Sequence, residues 1–180
     1  MTFVEILSLI LAILSFALIF YIGITKDVLR SNGPSTPFSF HKVQAWLWTL
    51  VICPCFALNW GFLHEHIPTI NKTAMILLGI SFGTGLTGEI INAVHIGAPV
   101  PATGLKMLSQ SKSFWIDILT GDDGQISIGR LQQFIFTILY VVIYLTIFFP
   151  CMRYPDFDDN AFILMGISTG TFLVSKGLHK

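Results

Sequence analysis

Residues 38–44 read FSFHKVQ, and residues 126–132, which lie 88 positions later (38 to 126), read ISIGRLQ. Both segments have a serine, then a basic residue three positions on, then a glutamine two positions after that. Each runs into a long apolar segment through a matched triplet, WTL at 48–50 and FTI at 136–138. Self-similarity at a fixed distance indicates a repeated structural unit, and it is stronger evidence about the fold than any single motif.

A second pair of matched segments extends the repeat. Residues 77–84 read LLGISFGT, and residues 164–171, 87 positions later (77 to 164), read LMGISTGT. The one-residue difference between the two offsets is absorbed in a short turn. The pattern predicts two copies of one helical hairpin, residues 37–92 and 126–180, with a cytoplasmic connector at 93–125. Both copies start on the same side of the membrane, a parallel relation that also occurs in transporters.

The composition of the chain predicts a membrane protein. Of its 180 residues, 53% are hydrophobic and 11% are charged, whereas a soluble domain has about 25% charged residues. An apolar block of 18 or more residues can cross the roughly 30 Å hydrocarbon layer as a helix. We predict an all-α polytopic fold with five transmembrane helices, near residues 3–24, 43–63, 69–92, 131–149 and 159–178.

The first block, within residues 1–30, has no copy and is predicted to be an additional transmembrane helix. Glu5, near its start, is its only charged residue, and the block is longer than the apolar core of a cleaved signal peptide. We therefore expect it to be retained.

Basic residues predict the orientation, because Lys and Arg concentrate in cytoplasmic loops. With five spans, one side of the membrane carries only Lys72 and Arg153. The other side carries Lys26, Arg30, Lys42, Lys106, Lys112, Arg130, Lys176 and Lys180. The N-terminus is therefore expected outside and the C-terminus in the cytoplasm.

The repeated motifs resemble those of small, largely uncharacterised bacterial multi-pass membrane proteins with duplicated helical hairpins. In those proteins each hairpin opens with Ser-x-x-Arg/Lys-x-Gln and returns through Leu-Leu-Gly-Ile-Ser-x-x-Thr. The resemblance covers residues 37–177 and includes the connector segment SFWIDIL at 113–119, followed by an acidic-Gly turn at 122–124. It implies the bacterial inner membrane and the topology above, and it implies no activity.

Small and hydroxyl residues mark one face of each predicted return helix. The G-x-x-x-G spacing lets another helix approach closely, and the hydroxyls allow two interpretations: helix packing, or the lining of a water or ion path. The residues concerned are Gly79, Ser81, Gly83 and Thr84 in the first copy, and Gly166, Ser168, Gly170 and Thr171 in the second.

Charged and polar residues recur at equivalent positions. Glu89 and Lys176 are equivalent in the two return helices, and we predict a cross-repeat ion pair between them, since a charge near lipid needs a partner or a route to water. A gating or substrate-binding role is the alternative. Each hairpin also opens with a cation and a glutamine, which we expect to anchor, cap or bond the neighbouring repeat: Lys42 with Gln44, and Arg130 with Gln132.

Other function classes are not indicated. His64-Glu65-His66 lacks the H-E-x-x-H spacing of a helical metal site, so no metal or cofactor is predicted. No basic cluster suggests nucleic acid, and no catalytic constellation suggests an enzyme. Residues 113–119 are predicted to form a short interfacial helix capped by Ser113.

The expected partners are the lipid bilayer and other subunits. Small-residue faces favour association, so we expect a homo-oligomer or a partner membrane or cytoplasmic subunit. The leading hypothesis is an oligomeric membrane pore or channel-like protein, such as a regulated membrane effector. The alternative is a non-conducting anchor or assembly subunit, which polar residues facing protein rather than water would favour.

The predicted ion pair can be tested by charge reversal. Glu89→Lys should impair folding or assembly, because it replaces a pair worth about 1 kcal/mol with a like-charge contact. Adding Lys176→Glu should partly restore the elution profile of the detergent-solubilised protein. If the double variant shows no rescue, the two charges do not meet.

Overall fold

Three long helices dominate the computed structural model, which describes residues 2–31, 35–63, 69–78, 111, 113–120 and 125–165. Helix α1 is Phe3–Thr25, α2 is Phe40–Phe62 and α5 is Ile128–Cys151. These three helices are long and apolar enough to cross a membrane. Three shorter α-helices follow in the described chain, in addition to a 3₁₀ turn: α3 at 72–78, α4 at Phe114–Leu119 and α6 at Asp159–Leu164. The predicted all-α class and membrane character are confirmed.

Helix α1 begins with a capping box. The Thr2 hydroxyl accepts a hydrogen bond from the Glu5 N–H at 3.3 Å, and the Glu5 carboxylate accepts one from the Thr2 N–H at 2.9 Å. These bonds satisfy two polar groups at the helix end. Most large side chains of α1 are exposed and apolar, so in a membrane most of its surface is suited to contact with lipid or with another apolar helix.

Helix α1 packs antiparallel to α2 through two glycines. A side chain at Gly23 would overlap the Trp46 indole, and one at Gly61 would overlap Ser8. Trp46 also donates its indole N–H to the Ile19 carbonyl at 2.9 Å. Since the start of α1 contacts the end of α2 and the reverse, the two helices run in opposite directions.

Helices α2 and α5 run parallel. Gln44, near the start of α2, bonds Thr137, and Asn59, near its end, bonds the Met152 carbonyl. We call the end that holds the described residues 26–31, 35–42, 113–120 and 125–130 the basic end, and the end at Asn59 and Met152 the far end. The chain that links α2 to α5 therefore returns from the far end to the basic end.

Two similar turns precede α2 and α5 at the basic end. A 3₁₀ turn, Asp27–Leu29, leads to an antiparallel bridge between Arg30 and Phe38. Helix α4 leads to a bridge between Thr120 and Ile126.

The serines at the N-cap positions of α2 and α5 close both turns in the same way. Ser39 N–H donates to the Leu29 carbonyl, and Ser127 N–H donates to the Leu119 carbonyl, each at 2.8 Å. Ser113 caps α4 by accepting a hydrogen bond from the Ile116 N–H, which confirms the short helix predicted there.

The predicted spans 3–24, 43–63 and 131–149 agree with α1, α2 and α5 to within three residues. The predicted spans 69–92 and 159–178 are described only at their first turns, α3 and α6. Helix α6 begins at Asp159, the residue at which the fifth span was predicted to start.

The close contact between α1 and α2 gives a stability test. Gly61→Ala should lower the free energy of unfolding by about 1–3 kcal/mol, because the new methyl group overlaps Ser8. Thermal unfolding in detergent measures the change. Ser8→Gly should reduce the cost in a double-mutant cycle, and Ala17→Leu, on an exposed part of α1, should change little. An additive cycle would show that Gly61 and Ser8 are not in contact.

Candidate functional site

The connection that follows α5 runs back along that helix. Residues 153–158 have no helical or turn structure. The Tyr154 ring lies 5.9 Å from that of Phe148, and the Phe157 ring lies 5.1 Å from that of Tyr140 and 6.1 Å from that of Tyr144. As the chain advances from 154 to 157, it therefore contacts successively earlier positions of α5. By Phe157 it has reached the middle of the helix.

Helix α6 starts at this middle level. The Asp158 carboxylate accepts a hydrogen bond from the Ala161 N–H at 3.0 Å and caps the helix. By Met165 the chain has reached the level of Thr137, because Gln44 bonds both of them.

The start of α3 is bonded to the same connection. The Asn71 amide donates to the Pro155 carbonyl at 2.8 Å and to the Asp156 carboxylate at 2.7 Å. Thr73 Oγ1 accepts a hydrogen bond from the Phe157 N–H at 2.9 Å. We call residues 153–158 the polar connection. The first turns of α3 and α6 therefore both contact the polar connection, at about half the height of the bundle.

Charged side chains are exposed around this polar connection. Asp156, Asp158, Asp159 and Lys72 are all exposed. In a bilayer, charged side chains at such depth face a protein interior or a water-filled cavity, because lipid cannot solvate them. The same holds for non-helical backbone.

Three buried polar atoms beside the connection have no hydrogen-bond partner: Trp48 Nε1, the Tyr144 hydroxyl and the Tyr154 hydroxyl. Trp48 and Tyr144 are fully buried, and their rings lie 6.0 Å apart. Since buried polar groups are nearly always bonded to protein or to ordered water, ordered water is the expected partner of these atoms.

The Gln44 side chain is the main polar link between the long helices. Its amide Nε2 donates to Thr137 Oγ1 at 2.9 Å and to the Met165 carbonyl at 2.8 Å, and the side chain is buried. Thr137 in turn donates to the Gln133 carbonyl at 2.8 Å. Of the two glutamines predicted to bond a neighbouring segment, Gln44 does so, whereas Gln132 is exposed.

The two predicted cations have the same local role. Lys42 Nζ donates to the carbonyls of Arg30 at 2.8 Å and Ser31 at 3.0 Å, and the Arg130 guanidinium donates to the Thr120 carbonyl. Arg30 and Thr120 are the bridged residues of the two turns. Each cation thus holds the turn that precedes its own helix.

The other predicted site residues lie outside the described residues. They are Gly79, Ser81, Gly83, Thr84, Glu89, Gly166, Ser168, Gly170, Thr171 and Lys176. Among the residues that the structure does describe, no group of three or more His, Cys, Asp or Glu side chains is placed to hold a metal ion.

Sequence reasoning missed the descending connection, because the predicted spans 131–149 and 159–178 leave only a short turn between them. Two local signals were present. Pro155 cannot continue a helix, and Tyr154 and Phe157 are aromatic residues that an exposed turn would not need. Sequence reasoning also missed the matched tripeptides before the two turns, DVL at 27–29 and DIL at 117–119.

Comparison with known proteins gives no relative for this chain: no family model, no curated protein and no solved structure matches it.

The two glutamines provide a matched pair of variants. Gln44→Leu should destabilise the protein by about 1–2 kcal/mol, since it removes two buried hydrogen bonds that hold α2 against α5 and α6. Gln132→Leu makes the same chemical change at an exposed position and should cost little. Chemical denaturation in mixed micelles measures both, and equal effects would contradict the assigned role of Gln44.

Proposed function

We propose that this chain is a five-span protein of the bacterial inner membrane, with its N-terminus outside, that assembles into a homo-oligomeric pore or channel-like effector. The membrane character rests on α1, α2 and α5. The other two spans rest on the apolar segments 69–92 and 159–178 and on the return of the chain between the parallel helices α2 and α5.

Local geometry supports the proposal that the last four spans are a tandem repeat. The two turns at the basic end have the same bridge, the same serine-to-leucine hydrogen bond and the same cation-to-carbonyl contact. Farther along, Thr49 and Thr137 each donate to the carbonyl four residues earlier. Asn71 and Asp158 each accept a hydrogen bond from the alanine N–H three residues later.

The pore proposal is carried by one observation, the polar connection at half the height of the bundle. Asp156, Asp158 and Asp159 are exposed beside the middle of an apolar helix, where lipid is a poor environment for charge. An oligomer that encloses these residues around water would solvate them. In this proposal the hydroxyl residues Ser81, Thr84, Ser168 and Thr171 continue the path toward the basic end.

A specific observation favours the alternative, a non-conducting anchor or assembly subunit. The buried amides of Gln44 and Asn59 both bond protein. The Thr137 and Thr146 hydroxyls bond backbone carbonyls of their own helix. Within the described parts of α2 and α5, these polar groups act as links between and within helices. In this proposal a partner membrane or cytoplasmic subunit covers the polar connection.

Conductance decides between the two proposals. In planar bilayers, the purified protein should conduct ions, and single cysteines at Ser81, Thr84, Ser168 or Thr171 should let a water-soluble thiol reagent change the current. The background replaces Cys53, Cys55 and Cys151, and Ile143→Cys, on an exposed apolar position of α5, is the unreactive control. A folded protein that never conducts would favour the anchor.

A further inference from the structure

We propose that the polar connection forms the wall of a water-filled vestibule that opens at the far end, reaches the middle of the bundle and concentrates cations. The vestibule is the far-end part of the proposed pore. It rests on that function only for the ion route that continues from its inner end to the basic end. Its residues are 71–73 of the start of α3 and 153–160 of the connection and start of α6.

The depth follows from element lengths. Helix α5 has 24 residues and is therefore about 36 Å long at 1.5 Å per residue. Tyr140 is its thirteenth residue (counting from Ile128), so Phe157, which packs on Tyr140, lies roughly 18 Å from either end. Six residues, 153–158, can span about 20 Å when extended, which is long enough for the descent from Met152 to this level.

The polar backbone and carboxylate groups of this connection would be poorly solvated by lipid. Asn71 and Thr73 satisfy some of its backbone groups, but the carboxylates of Asp156, Asp158 and Asp159 remain exposed. Non-helical backbone and ionised groups at membrane depth occur where protein or a water-filled cavity surrounds them.

A second, independent observation concerns polar atoms that are buried beside the inner part of the connection. The Tyr144 hydroxyl and the Trp48 indole N–H are fully buried and have no partner. Tyr144 packs on Phe157, so it lies beside the inner end of the polar connection. Ordered water is the usual partner of buried polar atoms that no protein group satisfies.

The charge balance of the vestibule favours cations. Its described wall carries three carboxylates and two cations, so negative charge is in excess. The carboxylates are those of Asp156, Asp158 and Asp159, and the cations are Lys72 and Arg153. A cleft with low-dielectric walls and one excess sign of charge raises the local concentration of the opposite ion. Small cations are therefore the expected solutes.

Thiol accessibility tests the vestibule directly. In a background without Cys53, Cys55 and Cys151, Asn160→Cys lies in the vestibule and leaves all three carboxylates intact. Ile143→Cys lies at a similar level of α5 but on an exposed apolar position. In proteoliposomes, membrane-impermeant methanethiosulfonate reagents should modify Asn160→Cys from the far-end side and leave Ile143→Cys unmodified. Asp159→Cys serves in the same way if Asn160→Cys does not fold.

The preference of the vestibule for cations can be measured separately. A cationic reagent should modify Asn160→Cys about tenfold faster than an anionic reagent of similar size, after correction for their rates with free thiol. Adding Asp159→Asn should reduce this ratio. Adding Asp27→Asn, at the basic end and paired with Arg30, should leave the ratio unchanged. Equal corrected rates for the two reagents would overturn the cation preference.

Conductance measured on the same proteins separates the two proposals. A reactive Asn160→Cys in a protein that never conducts supports the vestibule and removes the pore. An unreactive Asn160→Cys in a conducting, folded protein overturns the vestibule and moves the ion route elsewhere. If Asn160→Cys and Ile143→Cys react equally, the connection does not lie within the membrane, and the vestibule is also overturned.

Discussion

The buried amide of Gln44 is the contact on which the arrangement of the long helices depends. One Nε2 group donates to Thr137 on α5 and to the carbonyl of Met165 at the end of α6. Two hydrogen bonds from a single side chain set the height of α5 against α2 and hold Met165 at the same level. In a lipid environment, where apolar side chains gain little from contacting one another instead of lipid tails, such polar links and close packing hold helices together.

Hydrogen bonds near both ends of the bundle hold the long helices around the polar connection. At the basic end, Lys42 and Arg130 bond the carbonyls of their own preceding turns, so the starts of α2 and α5 are held independently of the rest. At the far end, Asn59 bonds the Met152 carbonyl. Between these ends, Tyr154 and Phe157 pack on α5 and direct the connection inward. The polar backbone then meets Asn71 and Thr73, which provide part of the bonding that lipid cannot.

Local signals predicted much of this arrangement. Long apolar runs determine where a helix can cross a membrane, so α1, α2 and α5 were predicted to within a few residues. Ser113 signals a helix start, because its hydroxyl can bond a free N–H of the first turn. The positions of Lys42, Arg130 and Gln44 were identified from the repeat, but their partners were not. A hydrogen bond from Gln44 to Met165 joins residues more than a hundred positions apart, and no local pattern predicts that contact.

By itself, the sequence determined that this is an all-α membrane protein and where its long helices begin and end, because hydrophobic length and capping residues act within one segment. Only the tertiary structure decided that Gln44 is buried while Gln132, which has the same local motif, is exposed. It also decided that residues 153–158 descend to the middle of α5. The physical reason is that burial and depth depend on neighbours supplied by other segments: Met165 and Thr137 for Gln44, and Tyr140, Tyr144 and Thr73 for Phe157.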